Sequence, residues 1–192
     1  MGIAWDSAKA YWVFDGYNGN LVKYDFVDPH EMGGDDHSDG QIFRWEEVAL
    51  SRVENVPGHM EIDHDTNLLY IADTGASRIQ VVDITSGTSD GSLLQFLEPL
   101  DTYVGWKDST QYTLVDSGLD EPSGLALHDG RLFVSDHATG EIIAFDPVSG
   151  DELGRITTPE GAGIMGIEIG PDGKIYYVNG SEDIVARVDP TP

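Results

Sequence analysis

"SGLALHDGRLFVSDHATGEIIAFD" (Ser123–Asp146) breaks into three hydrophobic runs, Leu125–Leu127, Leu132–Val134 and Ile142–Phe145, separated by two turns. Each run is too short for a helix, and none repeats its apolar positions with helical spacing. The turn Asp129-Gly130 has hairpin chemistry, because glycine reaches positive φ without a steric penalty. The segment therefore reads as three antiparallel strands, the second ending at Asp136.

Three further segments repeat this pattern. They are "GIAWDSAKAYWVFDGYNGNLVKYDF" (Gly2–Phe26), "GHMEIDHDTNLLYIADTGASRIQVVD" (Gly58–Asp83) and "MGIEIGPDGKIYYVNGSEDIVARVD" (Met165–Asp189). The second strand of each unit closes on Asp15, Asp73, Asp136 or Asn179. Their recurrence predicts that they bond backbone amides of the following turn, a structural role. A period of roughly 40 residues with several strands per unit indicates a β-propeller or a similar radial array. The expected fold is all-β, a single domain over 1–192 with blades near 1–55, 56–119, 120–160 and 161–192.

The strand count does not close a ring. "IFRWEEV" (42–48) and "ELGRITT" (152–158) supply fourth strands to the first and third blades, "LLQFLEP" (93–99) is the candidate for the second, and nothing follows "DIVARVD". The expectation is an incomplete ring, part of a larger propeller or one that self-associates through open strand edges. The alternative is a four-bladed ring that borrows a strand from "YVGW" or "QYTLVD".

Charge narrows the partners. Of 192 residues 35 are acidic and 10 basic, a formal net charge of −25, with 23 aspartates and only Lys9, Lys23, Lys107 and Lys174 as lysines. Such a surface repels nucleic acid and anionic membranes, which need clustered Lys or Arg. It suits a salty or calcium-rich medium where counter-ions screen self-repulsion, so an extracytoplasmic or salt-adapted protein is expected. No apolar run approaches the ~18 residues of a membrane span, and Met1–Asp6 lacks the basic start and apolar core of a signal peptide. Without cysteine there are no disulfides and no thiolate metal sites.

Two loops carry possible metal chemistry. Asp35-x-His37-x-Asp39-Gly40-x5-Glu46 has the spacing of a calcium loop, with His at the third position. Alternate side chains converge on one ion, Gly40 permits the sharp turn, and Glu46 offers two oxygens. His30, Asp35, Asp36 and His37 would better suit zinc or another transition metal, and a solvated acidic loop is the third reading. Asp63-His64-Asp65-Thr66-Asn67 begins similarly but has no glycine in the sixth place, so it reads as a polar turn. No Ser-His-Asp arrangement or phosphate-binding glycine loop is legible.

The runs Gly124–Asp146 and His59–Asp83 resemble NHL-type repeats, which build six-bladed β-propellers; the likeness extends over about two-thirds of the chain and bears on fold far more than on function. His59 in "VPGHMEID" resembles the position from which peptidyl-hydroxyglycine lyases of the same propeller type supply one of three axial zinc-binding histidines. The equivalent positions here are Ser123 and Ile164 or Met165, which cannot replace an imidazole.

In a propeller the entrance to the innermost strand and the turn between the second and third strands share one face. That face should carry His59, Tyr17, Thr74 and His137, with Tyr17, Thr74 and His137 as candidate ligand contacts. The opposite face should carry the 28–40 segment and Asp63–Asp65. Two functions stay open: a binding or interaction module for a protein or small molecule, with a structural calcium in the Asp35–Glu46 loop, and a metal-dependent lyase or hydrolase on the propeller axis, using zinc or calcium.

Overall fold

The structure, a computed structural model, describes residues 2–28, 34, 36–95 and 99–189. The first sheet contains β1 (Ile3–Ser7), β2 (Ala10–Asp15), β3 (Asn20–Asp25) and β4 (Gln41–Trp45), in antiparallel order from the inside outward. The second contains β5 (Met60–Asp63), β6 (Leu68–Asp73) and β7 (Arg78–Asp83). Two strands that follow, β8 (Thr88–Ser92) and β9 (Thr102–Lys107), return to the first sheet, where β9 pairs in parallel with β4 and β8 forms the edge. The next strand, β10 (Gln111–Val115), completes the second sheet against β7.

The third sheet is regular: β11 (Pro122–His128), β12 (Arg131–Asp136), β13 (Glu141–Phe145) and β14 (Glu152–Thr157). The fourth has three strands, β15 (Ile164–Ile169), β16 (Ile175–Asn179) and β17 (Ile184–Arg187). Two expectations are corrected here. The fourth strand of the second blade is Gln111–Val115 and not "LLQFLEP". "YVGW" is spent in β9 and "QYTLV" in β10, so neither is lent to the fourth blade.

Side-chain alternation explains why the sheets stack. On the first sheet Trp12, Phe14, Leu21 and Trp45 share one face and meet Met60, Ile62, Leu69 and Ile71 of the second. Trp12, Trp45 and Trp106 form an aromatic row, with ring centroids 4.5 and 5.6 Å apart. Tyr70, Ile79 and Val81 continue the core from the second sheet into Leu132, Val134 and Ile143 of the third. Ala126 and Ile142 then meet Ile164, Ile167 and Tyr177 of the fourth. Full burial of each such side chain contributes roughly 1.5–3 kcal/mol.

The innermost strands lie in the order β1, β5, β11, β15. Gly124 lets β11 approach β15 closely: a Cβ there would fall 2.6 Å from Ile167 N and 2.7 Å from Gly166 Cα. Among the described residues the arc does not close on itself. Trp5 on β1 is 55% exposed and Val185 on β17 is 72% exposed, and a closing contact would bury both.

Candidate functional site

The residues that end the second strands anchor the third and fourth blades twice, whereas Asp73, against the expectation, does not cap its own turn and gives its second oxygen to Arg78 Nε at 2.8 Å. Asp136 Oδ1 accepts from the Ala138 and Thr139 amides, and Asn179 Oδ1 from those of Ser181 and Glu182. Asp15 Oδ1 accepts likewise from Tyr17 and Asn18, as the repeat predicts. The second half of each group does what the sequence does not reveal: it ties down the segment arriving from the previous blade. Asp136 Oδ2 accepts from the Asp120 and Glu121 amides, Asp73 Oδ1 from the Ser51 amide, and Asn179 Nδ2 donates to the Ala162 carbonyl.

In the first blade the second carboxylate oxygen has another use. Arg44 Nη1 donates to Asp15 Oδ2 at 2.7 Å and to Asn20 Oδ1 at 2.8 Å, while Asn18 Nδ2 donates to Asp15 Oδ2 at 2.7 Å. Burial alone would raise the Asp15 pKa, but Arg44 and Asn18 outweigh it and hold the carboxyl at about 2. Burial likewise opposes the Arg44 charge, and the Asp15 carboxylate and Tyr103 phenol overcome it, so its pKa rises above the usual arginine value. Around this corner lies a cleft of about 410 Å³, lined by Asn18, Asn20, Arg44, Glu46, Tyr103 and Leu94, among others. It occupies the face of the first sheet that looks away from the second.

A second constellation lies on the innermost strands. His59, at the entrance to β5, holds its ring over β15: a Cβ on Gly166 would be 3.3 Å from His59 Cε1. Burial lowers the His59 pKa. Two residues on, Glu61 is raised to about 7, first by burial and then by the charge of Glu168 on β15. Sequence reading passed over Glu61, because an acid alternating with Met60 and Ile62 looks like the solvated side of a strand. The expected equivalence of strand entrances holds, since His59 N donates to the Ser123 carbonyl and Ser123 Oγ to that of Ile164. Among the described residues no group of three or more His, Cys, Asp or Glu is arranged to hold a metal ion.

The remaining predicted residues separate. Asp35, like His30, lies outside the described residues. His37 accepts the Gly40 amide through its carbonyl, and Asp39 Oδ2 accepts the Asp28 amide at 2.7 Å. Glu46 is a correction: β4 stands extended between it and Asp39, carrying it roughly 20 Å away at about 3.3 Å per residue. Glu46 and Asp39 share no ion, and Glu46 belongs to the cleft.

Thr74 is also corrected. It is buried, and its hydroxyl donates to the Pro122 carbonyl at 2.7 Å, clamping the second blade to the third. His137 sits at a blade junction, with Nδ1 2.7 Å from Glu121 Oε2 and its carbonyl accepting the Gly163 amide. Tyr17 is 92% exposed on the turn that carries Asn18 to the cleft. Asp63–Asp65 is the polar turn expected, Asp63 Oδ1 accepting the Asp65 amide, with His64 packed edge-on to Trp5.

Four radially stacked sheets, each begun by an innermost strand, define a β-propeller arc, and the solved structures similar to it agree. A streptogramin B lyase is 12% identical with a TM-score of 0.63, covering 97% of this chain and 50% of its own. The Cps50 (Swd1) β-propeller domain of Myceliophteria thermophila is 12% identical with a TM-score of 0.57, covering 97% and 50%. Glutaminyl cyclase of Myxococcus xanthus is 14% identical with a TM-score of 0.50, covering 98% and 73%. At such identities the likeness shows the fold alone. This chain spans about half the length of the first two. No family model matches it, and no curated protein does.

Proposed function

We propose that the chain is a binding module of the NHL propeller type that takes a small ligand in the cleft beside Arg44 and presents its end sheets to another protein chain. The observation that carries this reading is the break in the repeat at Asp15. The third and fourth blades use the second half of the strand-ending residue to anchor backbone, and the second blade pairs Asp73 with Arg78 at a blade joint, whereas Asp15 positions Arg44 in a cleft large enough for a small molecule, inside the ~300–1,000 Å³ range of such sites.

Saturation-transfer NMR with a mixed small-molecule library, on the wild type and on Glu46→Ala, tests the reading. Glu46 is exposed, so its removal leaves the fold intact. Library members that receive saturation from the wild type and lose it in the variant are expected; none doing so would end the proposal.

The enzyme reading rests on Glu61, whose carboxyl near neutral pH beside His59 could exchange a proton on the axis. It is second, since the zinc-lyase pattern requires two further histidines where Ser123 and Ile164 stand. Calcium in the 28–40 segment, without Glu46, would rest on Asp35, His37 and Asp39, a set suited at most to millimolar affinity. Elemental analysis of desalted protein beside Asp39→Ala tests it; metal content unchanged by the substitution would exclude that loop.

A further inference from the structure

We propose that the cleft of the first blade binds a neutral, polyhydroxylated ligand, a mono- or disaccharide. This rests on the binding-module reading and names its ligand class. The charge balance comes first. The only cation among the described residues that line the cleft, Arg44, is already neutralised by Asp15 at 2.7 Å, and Glu46 adds a negative charge. A chain carrying −25 adds a field that disfavours anions further.

The polar groups left over are mixed in kind. Arg44 spends Nη1 on Asp15 and Asn20, and Tyr103 stands beside the guanidinium. Since a guanidinium only donates and a carboxylate only accepts, both amides are fixed in orientation. Asn20 turns its oxygen to Arg44 and keeps its amino group unspent, whereas Asn18 gives its amino group to Asp15 and keeps its oxygen. The cleft thus offers donors from Arg44 and Asn20, acceptors from Asn18 and Glu46, and a phenol that does either. A ligand with one kind of group would leave half of these desolvated without partners, which weakens binding. Vicinal hydroxyls donate and accept at once. Leu94 and the Tyr103 ring supply apolar surface for the C–H face of a sugar ring.

The test is saturation-transfer NMR with maltose, cellobiose and chitobiose as neutral probes, galacturonate as anion and spermidine as cation, on wild type, Glu46→Ala and Tyr103→Ala. At least one neutral disaccharide should bind in the millimolar range or tighter and weaken about tenfold or more in each variant. Neither charged probe should displace it. If galacturonate or spermidine binds in a Glu46-dependent way and no neutral sugar does, the ligand class is wrong while the binding module stands. If no probe binds, or binding ignores both substitutions, the proposal fails, and the library screen decides separately whether the cleft binds anything.

Discussion

At the scale of single residues, Glu61 and Asp15 are carboxylates held in opposite states. Glu61 sits near 7, raised by burial and by Glu168, so ionisation costs the folded chain what it does not cost the unfolded one. The sign follows from linkage: this contribution is fully present below the ordinary value of 4.5 and is lost as pH rises through about 7. Its upper limit is about 3 kcal/mol, reduced to roughly 1–2 kcal/mol because the carboxyl keeps part of its hydration. Glu61→Gln should therefore stabilise the protein by that amount at pH 8 and leave it unchanged at pH 4, measured by urea unfolding. Equal effects at both pH values would show that Glu61 is not held protonated. Asp15 behaves inversely, its contribution present above 3.8 and lost as pH falls toward about 2. The repeat made the backbone role of Asp15 legible. The raised state of Glu61 was not, because it arises first from burial in the folded chain and then from the charge of Glu168, over a hundred residues away.

At the scale of elements, the strands were legible because each is a short run of β-branched and aromatic residues between Gly- or Asp-rich turns. What escaped was partner choice. "TYVGWK" and "QYTLV" look alike as sequence, yet the first joins β4 in parallel and the second joins β7. Trp106 explains part of this, since it completes the row with Trp45 and Trp12, a contact defined only once the first two blades have packed. The joints between blades were equally hidden. Gly140, in the β12–β13 turn at φ +72°, lies where a Cβ would come within 2.1 Å of the Gly161 backbone. Gly130, at φ +67° in the β11–β12 turn, has nothing within 4 Å. Both look like ordinary hairpin glycines. Gly130→Ala should cost only the left-handed penalty, about 1–2 kcal/mol. Gly140→Ala should add an overpacking cost of about 1–3 kcal/mol and loosen the third blade from the fourth. Thermal unfolding of the two variants compares them; similar losses would mean that the Gly140–Gly161 approach relaxes freely.

At the scale of the whole molecule, an open arc presents two sheet faces that every interior blade buries. One carries Ile3 and Trp5 on its innermost strand, at the opposite edge of that sheet from the cleft. The other carries Val178 and Val185, paired across β16 and β17 on one side of the fourth sheet. The interior shows what such a face accepts, which is the face of another blade. Two copies related by a two-fold axis would set each first blade against the other's fourth, covering both faces with no end left over. Charge opposes this: each copy carries −25, and the repulsion reaches about 10 Å at 0.1 M salt. Self-association should accordingly strengthen with salt, the reverse of an ion-pair interface. Light scattering behind size exclusion should find monomer near 0.05 M salt and dimer near 1 M, where the screening length is about 3 Å. Val185→Asp and Ile3→Asp, both at exposed positions, should each hold the chain monomeric at high salt without lowering its unfolding temperature. A wild type that stays monomeric at high salt and concentration would show that the faces do not take each other. A dimer that survives both substitutions would place the contact elsewhere.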